Sequence, residues 1–309
     1  MTATLLSLPL PAPKKEASSQ DHKHWGQLQG SSAALCISQA LSQYKGPIVL
    51  ITADTPSAMK LEKEIAFFLS DNTKHTPITL FPDWETLPYD SFSPHQDIVS
   101  QRLETLFRFT QQGEGIFIVP VNTLMQRLAP TDYLAKYLLM LNQGDTLDRD
   151  QFRRNLEQAG YLHVSQVMSH SEFSVRGTII DLFPMGSDQP FRIDLFDDEI
   201  DSIRYFDTET QRSGEAVNEI RLLPAREFPT DKEAITLFRQ QFLEKFDANN
   251  ASESVFSQVS KGTMPSGVEY YLPLFFEKTA TLFDYLHPKS LLLLHGDVQD
   301  ASEFFWADV

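Results

Sequence analysis

The sequence predicts an α/β chain: a layered parallel-sheet domain with a small α+β domain set into it. Three features carry that reading. From Ser31 to Leu128, short apolar runs alternate with amphipathic helical patterns, the rhythm of a parallel sheet with crossover helices. After about Tyr137 the chain turns to short strand-like pieces separated by tight turns, as antiparallel hairpins do. Near the end, Leu291 to Leu294 is one more apolar run before His295-Gly296-Asp297. It reads as a buried strand that rejoins the first sheet, which makes the middle domain an insertion.

The elements follow in order. Met1 to His24 reads as a disordered arm: its apolar stretch, Leu5 to Leu10, is broken by Pro9 and Pro11. It lacks the basic start of a signal peptide. Ser31 to Tyr44 has a helical pattern. Pro47 to Ile51, within GPIVLITAD, is an apolar run between turn signals, as buried parallel strands are. Ser57 to Leu69 places Met59, Leu61, Ile65, Phe68 and Leu69 on one helix face. Pro77 to Phe81 reads as a strand. Ser93 and Pro94 suit the N-cap and first position of a helix running to about Phe109. Gly115 to Val121 is a third strand, ended by Pro120. Asn122 or Thr123 then caps a short helix through Leu128.

Residues 145–160 read as one helix closed by Gly160. Strands are expected at Val175 to Phe183, Phe191 to Phe196 and Ile200 to Phe206, the last two joined by a turn at Asp197-Asp198-Glu199. From about Pro224 helices return. Pro229-Thr230-Asp231 precedes an amphipathic stretch to Phe246, and DANNASES, 247–254, is a loop. The expected division is therefore an arm at 1–24, a first half-domain at 25–137, the inserted domain at 138–223 and a completing half at 224–309.

Composition bounds the function. A chain of 309 residues hides roughly 75% of its extended surface, so it needs no metal or disulfide staple. Its one cysteine, Cys36, excludes an intrachain disulfide and suits the reducing cytoplasm. Basic residues number 26 against 42 acidic, a net charge of -16. That argues against a sequence-independent grip on DNA, which needs a surplus of Lys and Arg. It suits solubility or a basic protein partner. No run approaches the ~20 apolar residues of a membrane span. The chain stops at Trp306-Ala307-Asp308-Val309 with no polar tail, so the natural protein is expected to continue.

Several chemistries lack their residues. A phosphate-binding loop needs GxxxxGK[ST], with glycines that let backbone N–H groups approach phosphate and a lysine that reaches its end. At LQGSSAAL, Leu28 to Leu35, where a first strand would turn into a first helix, only Gly30-Ser31-Ser32 remains of it. This is the degenerate P-loop position. The acids Asp194, Asp197, Asp198, Glu199 and Asp201 offer oxygen ligands of the kind Mg²⁺ or Ca²⁺ takes. Three of them are consecutive in a turn, however, and read as a solvated turn. The histidines are scattered, with no HExxH, and no GxSxG begins a serine-nucleophile site. No catalytic constellation emerges.

Two segments stand out. Asp83 to Pro94, DWETLPYDSFSP, interleaves Trp84, Tyr89 and Phe92 with prolines. It is either a packed loop or an aromatic platform for a partner or for bases. Tyr137 to Asp231 holds no lysine, although the chain has 13, and nine of the 13 arginines. Arginine's planar fork suits buried pairs and interfaces. At period two, Arg192, Asp194 and Phe196 share one strand face, opposite Ile193 and Leu195. In Val175 to Phe183, Arg176 alternates with Asp181, which puts the two on opposite faces. Arg176, Arg192 and Phe196 are either an exposed hot spot or part of an intramolecular Arg–Asp ladder.

DWETLPYDSFSPHQDIVSQRLETL, IFIVPVNTLMQRLAP, RGTIIDLFPMGSDQPFRIDLFDDEIDSIRYFD and SKGTMPSGVEYYLPLFFE together resemble the N-terminal region of the bacterial transcription-repair coupling factors (Mfd), from about Leu28 onward. That region is similar in turn to the nucleotide-excision-repair protein UvrB. The resemblance implies a degenerate RecA-like domain in two halves, like UvrB domain 1, around an inserted domain like UvrB domain 2. It implies no functional ATP site in this chain, hence no cofactor and no enzyme activity here, and a surface that recruits UvrA. The residues it assigns to that surface are Arg176, Arg192 and Phe196, all expected to be exposed. It further implies an RNA-polymerase-interacting domain and an ATP- and Mg²⁺-using double-stranded-DNA translocase beyond Val309. An autonomous helicase-like NTPase or nuclease is the alternative, which the missing Gly-Lys-Ser/Thr disfavours.

Overall fold

The computed structural model describes residues 24–44, 46–69, 76–86, 91–111, 115–246 and 255–308. The arm before His24, the 247–254 loop and Tyr89 lie outside them. Helices are α1 (Ser32–Gln43), α2 (Thr55–Phe68), α3 (Gln96–Thr110), α4 (Val121–Leu124), α5 (Thr131–Tyr137) and α6 (Arg149–Gln158). Further along come α7 (Lys232–Lys245), α8 (Val255–Ser260), a 3-10 segment at Val268–Phe275, α9 (Leu282–Tyr285) and α10 (Val298–Asp308). Strands are β1 (Ile48–Thr52), β2 (Ile78–Leu80), β3 (Ile116–Pro120), β4 (Leu139–Asn142), β5 (Leu162–His163) and β6 (Glu172–Arg176). They continue with β7 (Ile179–Leu182), β8 (Phe191–Phe196), β9 (Glu199–Phe206), β10 (Ser213–Val217), β11 (Glu219–Leu222) and β12 (Leu291–His295).

The chain divides into two compact units, each assembled from separated segments. Of the described residues, one unit holds those from 24 to 83, from 108 to 125 and from 286 to 308, and the other holds those from 84 to 107 and from 126 to 285.

The first unit is built on a parallel sheet of order β12-β1-β3-β2. β1 and β3 are central and buried along their whole length. That is why IVLIT and IFIVP read as unbroken apolar runs rather than alternating ones. Ala34, Ile37 and Ala40 of α1 and Ala58, Leu61 and Ile65 of α2 pack with Ile48, Leu50, Ile116 and Ile118 into one core. On the other face of the sheet, Phe109 stacks on Phe117 with ring centroids 4.1 Å apart. β12 joins β1 in parallel, Ile48 beside Leu291 and Ile51 beside Leu294. It is an edge strand, not the buried one expected: Leu292 and Leu294 are exposed.

Other boundaries differ for local reasons. α2 starts earlier than Ser57, because Asp54 is its cap and accepts the Ser57 N–H at 2.7 Å. Met59, expected on its apolar face, is exposed. α4 follows Pro120 directly, with no side-chain cap from Asn122 or Thr123, and ends at Leu124.

The second unit carries a six-stranded sheet of order β10-β9-β8-β7-β6-β5, antiparallel except for the β5–β6 pair. Phe173, Ile180, Leu182, Phe191, Ile193 and Ile203 line its buried face. α6 is shorter than expected, because Asp148 caps it by accepting the Gln151 N–H. The pair β4–β11 had no clear sequence signal, being four residues a strand. α7 begins where the amphipathic stretch was expected, is capped by Asp231, and packs Phe238 and Phe242 with Val268, Leu272 and Phe275. Ser93 does not cap α3, which begins at Gln96. Its hydroxyl instead donates to Glu269 Oε2 at 2.8 Å and accepts the Gly267 N–H at 3.1 Å.

Among the described residues, no helix is long and apolar enough to cross a membrane.

Candidate functional site

The segment read as one strand from Val175 to Phe183 is a tight hairpin. β6 ends at Arg176 and β7 begins at Ile179. Between them Gly177 takes φ +64, a left-handed conformation that glycine adopts without a Cβ clash. The turn reverses the chain, so the alternation restarts. Arg176 pairs with Ile179, and Ser174 pairs with Asp181. Paired residues share a face, and so do residues two apart on a strand. Asp181 therefore stands on the same face as Arg176, not the opposite one. Arg-Gly-Thr between two apolar runs is the signal that could have shown this.

That face carries a row across five strands: Ser174, Asp181, Arg192, Arg204 and Ala216 are in register. Asp181 is its anchor, only 1% exposed. Its Oδ1 accepts Arg192 Nε at 2.7 Å, and its Oδ2 accepts Arg192 Nη2 at 3.0 Å. Arg176 Nη2 also donates to Oδ2. Arg192 is further fixed by Nη1 bonds to the Gln211 carbonyl and Ser213 Oγ, both 3.2 Å. Its guanidinium lies 5.1 Å from the centroid of the Phe206 ring. The hydrogen bond to Asp181 pushes the Arg192 pKa up, so it stays a cation.

The three expected contact residues thus differ in character. The Arg192 side chain is 14% exposed, which corrects the expectation of an exposed contact: it is the ladder member. The Arg176 side chain is 51% exposed although it shares Asp181. Phe196 is 74% exposed at the end of β8, where Asp197 turns the chain with φ +54. Arg192, Asp194 and Phe196 lie on one strand face, as their spacing predicts.

The other candidates resolve separately. Gly30 (φ +57) and Ser31 lead into α1, but 24–29 form no strand before them. Ser31 Oγ donates to Glu64 Oε1 at 2.9 Å, and Ser32 Oγ donates to the Gln29 carbonyl. A carboxylate beside this helix start opposes an incoming phosphate. Asp197, Asp198 and Glu199 are exposed at the β8–β9 tip. Among the described residues no group of His, Cys, Asp and Glu could hold a metal ion. Cys36 is buried, and burial pushes its thiol pKa up. Trp84 is buried, not a platform. Its indole donates to Glu227 Oε1 at 3.0 Å, beside the Arg102–Glu227 pair at 2.6 Å.

Comparison with known proteins bears on the same sheet. Residues 139–228 match the UvrB interaction domain family, a range that contains the whole Asp181 row. The chain is 48% identical over 284 residues to the transcription-repair-coupling factor of Escherichia coli K12, covering 92% of this chain and 24% of that protein. To the Haemophilus influenzae factor it is 48% identical over 289 residues, covering 93% and 25%. To the Bacillus subtilis factor it is 30% identical over 281 residues, covering 86% and 24%. The chain spans about a quarter of the length of these curated relatives. Over that quarter the chain is similar to the transcription-repair-coupling factors, and its residues 139–228 match the UvrB interaction domain family.

Proposed function

We propose that this chain is the UvrA-recruiting module of a transcription-repair coupling factor, acting at RNA polymerase stalled on damaged DNA. The observation that supports it most is Phe196, a large apolar ring left three-quarters exposed within the UvrB interaction domain. Arg176 is exposed on the same sheet. Arg and aromatic side chains dominate protein hot spots. In this reading the Phe196 ring fills a pocket on UvrA and Arg176 pairs with a carboxylate there. Arg192 contributes from beneath by holding Asp181, and with it the sheet face, in place.

RNA-polymerase binding and ATP-driven translocation on double-stranded DNA belong, in this proposal, to the longer protein beyond Val309. ATP and Mg²⁺ serve there, and this chain takes no cofactor. In this reading the protein acts in the cytoplasm, where the polymerase transcribes. The test is calorimetric titration of the purified chain with UvrA. Phe196→Ala and Arg176→Ala should each weaken binding by about 30-fold or more. Phe196→Ala should leave the melting temperature unchanged, and Arg176→Ala, which removes one of three bonds to Asp181, should lower it only slightly. Wild-type affinity in both variants would refute the reading.

A further inference from the structure

We propose that Arg204 is a further contact of the same docking face, accepting an acidic side chain of the partner. This rests on the reading that the sheet face binds UvrA. Arg204 stands directly across from Arg192 on β9, with Cα atoms about 5 Å apart in such pairs. Like charges directly opposite on a sheet are destabilising, so the pairing needs compensation. Asp181 supplies it for Arg192 but has both oxygens occupied, by Arg192 and Arg176. Arg204 is exposed, and among the described residues its guanidinium has no carboxylate or hydrogen-bond partner. Its neighbour on the other side, Ala216 of the edge strand, is too short to cover it.

The face therefore has two ends. The acids Asp194 and Glu199 stand near Phe196. Arg204 lies five residues along β9 from Glu199, about 16 Å away at strand spacing, while Asp194, across from Ser202, is its diagonal neighbour on the same face and forms no ion pair with it among the described residues. Arg176 and Arg204 flank the saturated Asp181–Arg192 pair, one on each side. They form a cationic strip that fits a partner surface carrying two or more carboxylates. An arginine of this kind acts mainly on the rate of association and on its salt dependence.

The experiment is surface-plasmon kinetics of the chain against purified UvrA at two ionic strengths. The variants are Arg204→Ala, Arg204→Glu, Phe196→Ala and Arg176→Ala, with Arg239→Glu as a control on an exposed site of α7. Arg204→Glu should slow association about tenfold and flatten its salt dependence. Arg204→Ala should do so less, and Arg239→Glu should leave both unchanged. Melting temperature should hold or rise in Arg204→Ala, because a like-charge pair is relieved. If Phe196→Ala loses binding while Arg204→Glu matches Arg239→Glu, Arg204 lies outside the interface and the inference fails alone. If Phe196→Ala, Arg176→Ala and Arg204→Glu all bind as wild type, the UvrA reading fails and takes the inference with it.

Discussion

Asp181 shows how one residue decides whether an arginine is structural or available. A buried carboxylate is costly unless charge-assisted hydrogen bonds replace its water. Asp181 receives three, two from Arg192 and one from Arg176. Arg192 in turn ties the 211–213 segment through Gln211 and Ser213. Arg192→Ala should therefore cost about 1.5–3 kcal/mol. Asp181→Ala should cost about 2–3 kcal/mol, since Arg192 is then left largely buried without its carboxylate. Phe196→Ala should stay within about 0.5 kcal/mol of wild type, as exposed substitutions do. Urea denaturation of the three variants checks the order. Equal stability of Arg192→Ala and wild type would mean the pair does not hold the face. The sequence showed the identities of all these residues and the shared face of Arg192 and Phe196. It did not show that Asp181 faces Arg176, because that depends on one glycine turning the chain.

At the scale of the element, the central strands and the hairpin strands β8 and β9 were the readable parts, and the helix caps were not. β8 was expected at Phe191 to Phe196 and stands there, because period-two alternation is local to six residues. The start of α7 after Asp231 is another such case. At α2 the cap is Asp54, whose carboxyl is held below its usual pKa by the Ser57 side-chain and backbone bonds. Asp54→Ala should cost about 1 kcal/mol at neutral pH. The lowered folded pKa means this contribution is present above the ordinary aspartate value of about 3.9. It fades as pH falls through the lower folded value. The stability gap between wild type and Asp54→Ala, measured by denaturation at pH 7 and near pH 3, should narrow. A constant gap would show that the cap bond is absent. Ser93-Pro94 had the form of a helix start and failed, because Glu269 and Gly267, some 175 residues away, claim the Ser93 hydroxyl.

For the whole molecule, the sheet of the first unit takes its edge strand from near the chain end and its centre from residues 48–52 and 116–120. The Gly30-Ser31-Ser32 turn keeps the left-handed glycine of a phosphate loop but sets the Glu64 carboxylate against Ser31. With no lysine in LQGSSAAL and a net charge of -16, neither nucleotide nor DNA has a cationic seat there. Calorimetry with Mg²⁺–ATP should show no saturable binding at micromolar ligand. Anisotropy of duplex and single-stranded oligonucleotides should stay flat at physiological salt. Saturable binding in either titration would contradict the degenerate reading.

What the sequence determined by itself was the alternation of elements, the parallel layer, the hairpin-rich middle and the resemblance. All of these rest on periodicity and motifs that a chain carries locally. Only the tertiary structure decided that Leu292 and Leu294 lie on an edge, that Trp84 is buried on Glu227, and that Arg192 is saturated while Arg204 is not. Each of those depends on which residue from a distant segment arrives beside it. Exposure and charge pairing are properties of neighbours in space, set by strand order and register, and no local pattern encodes them.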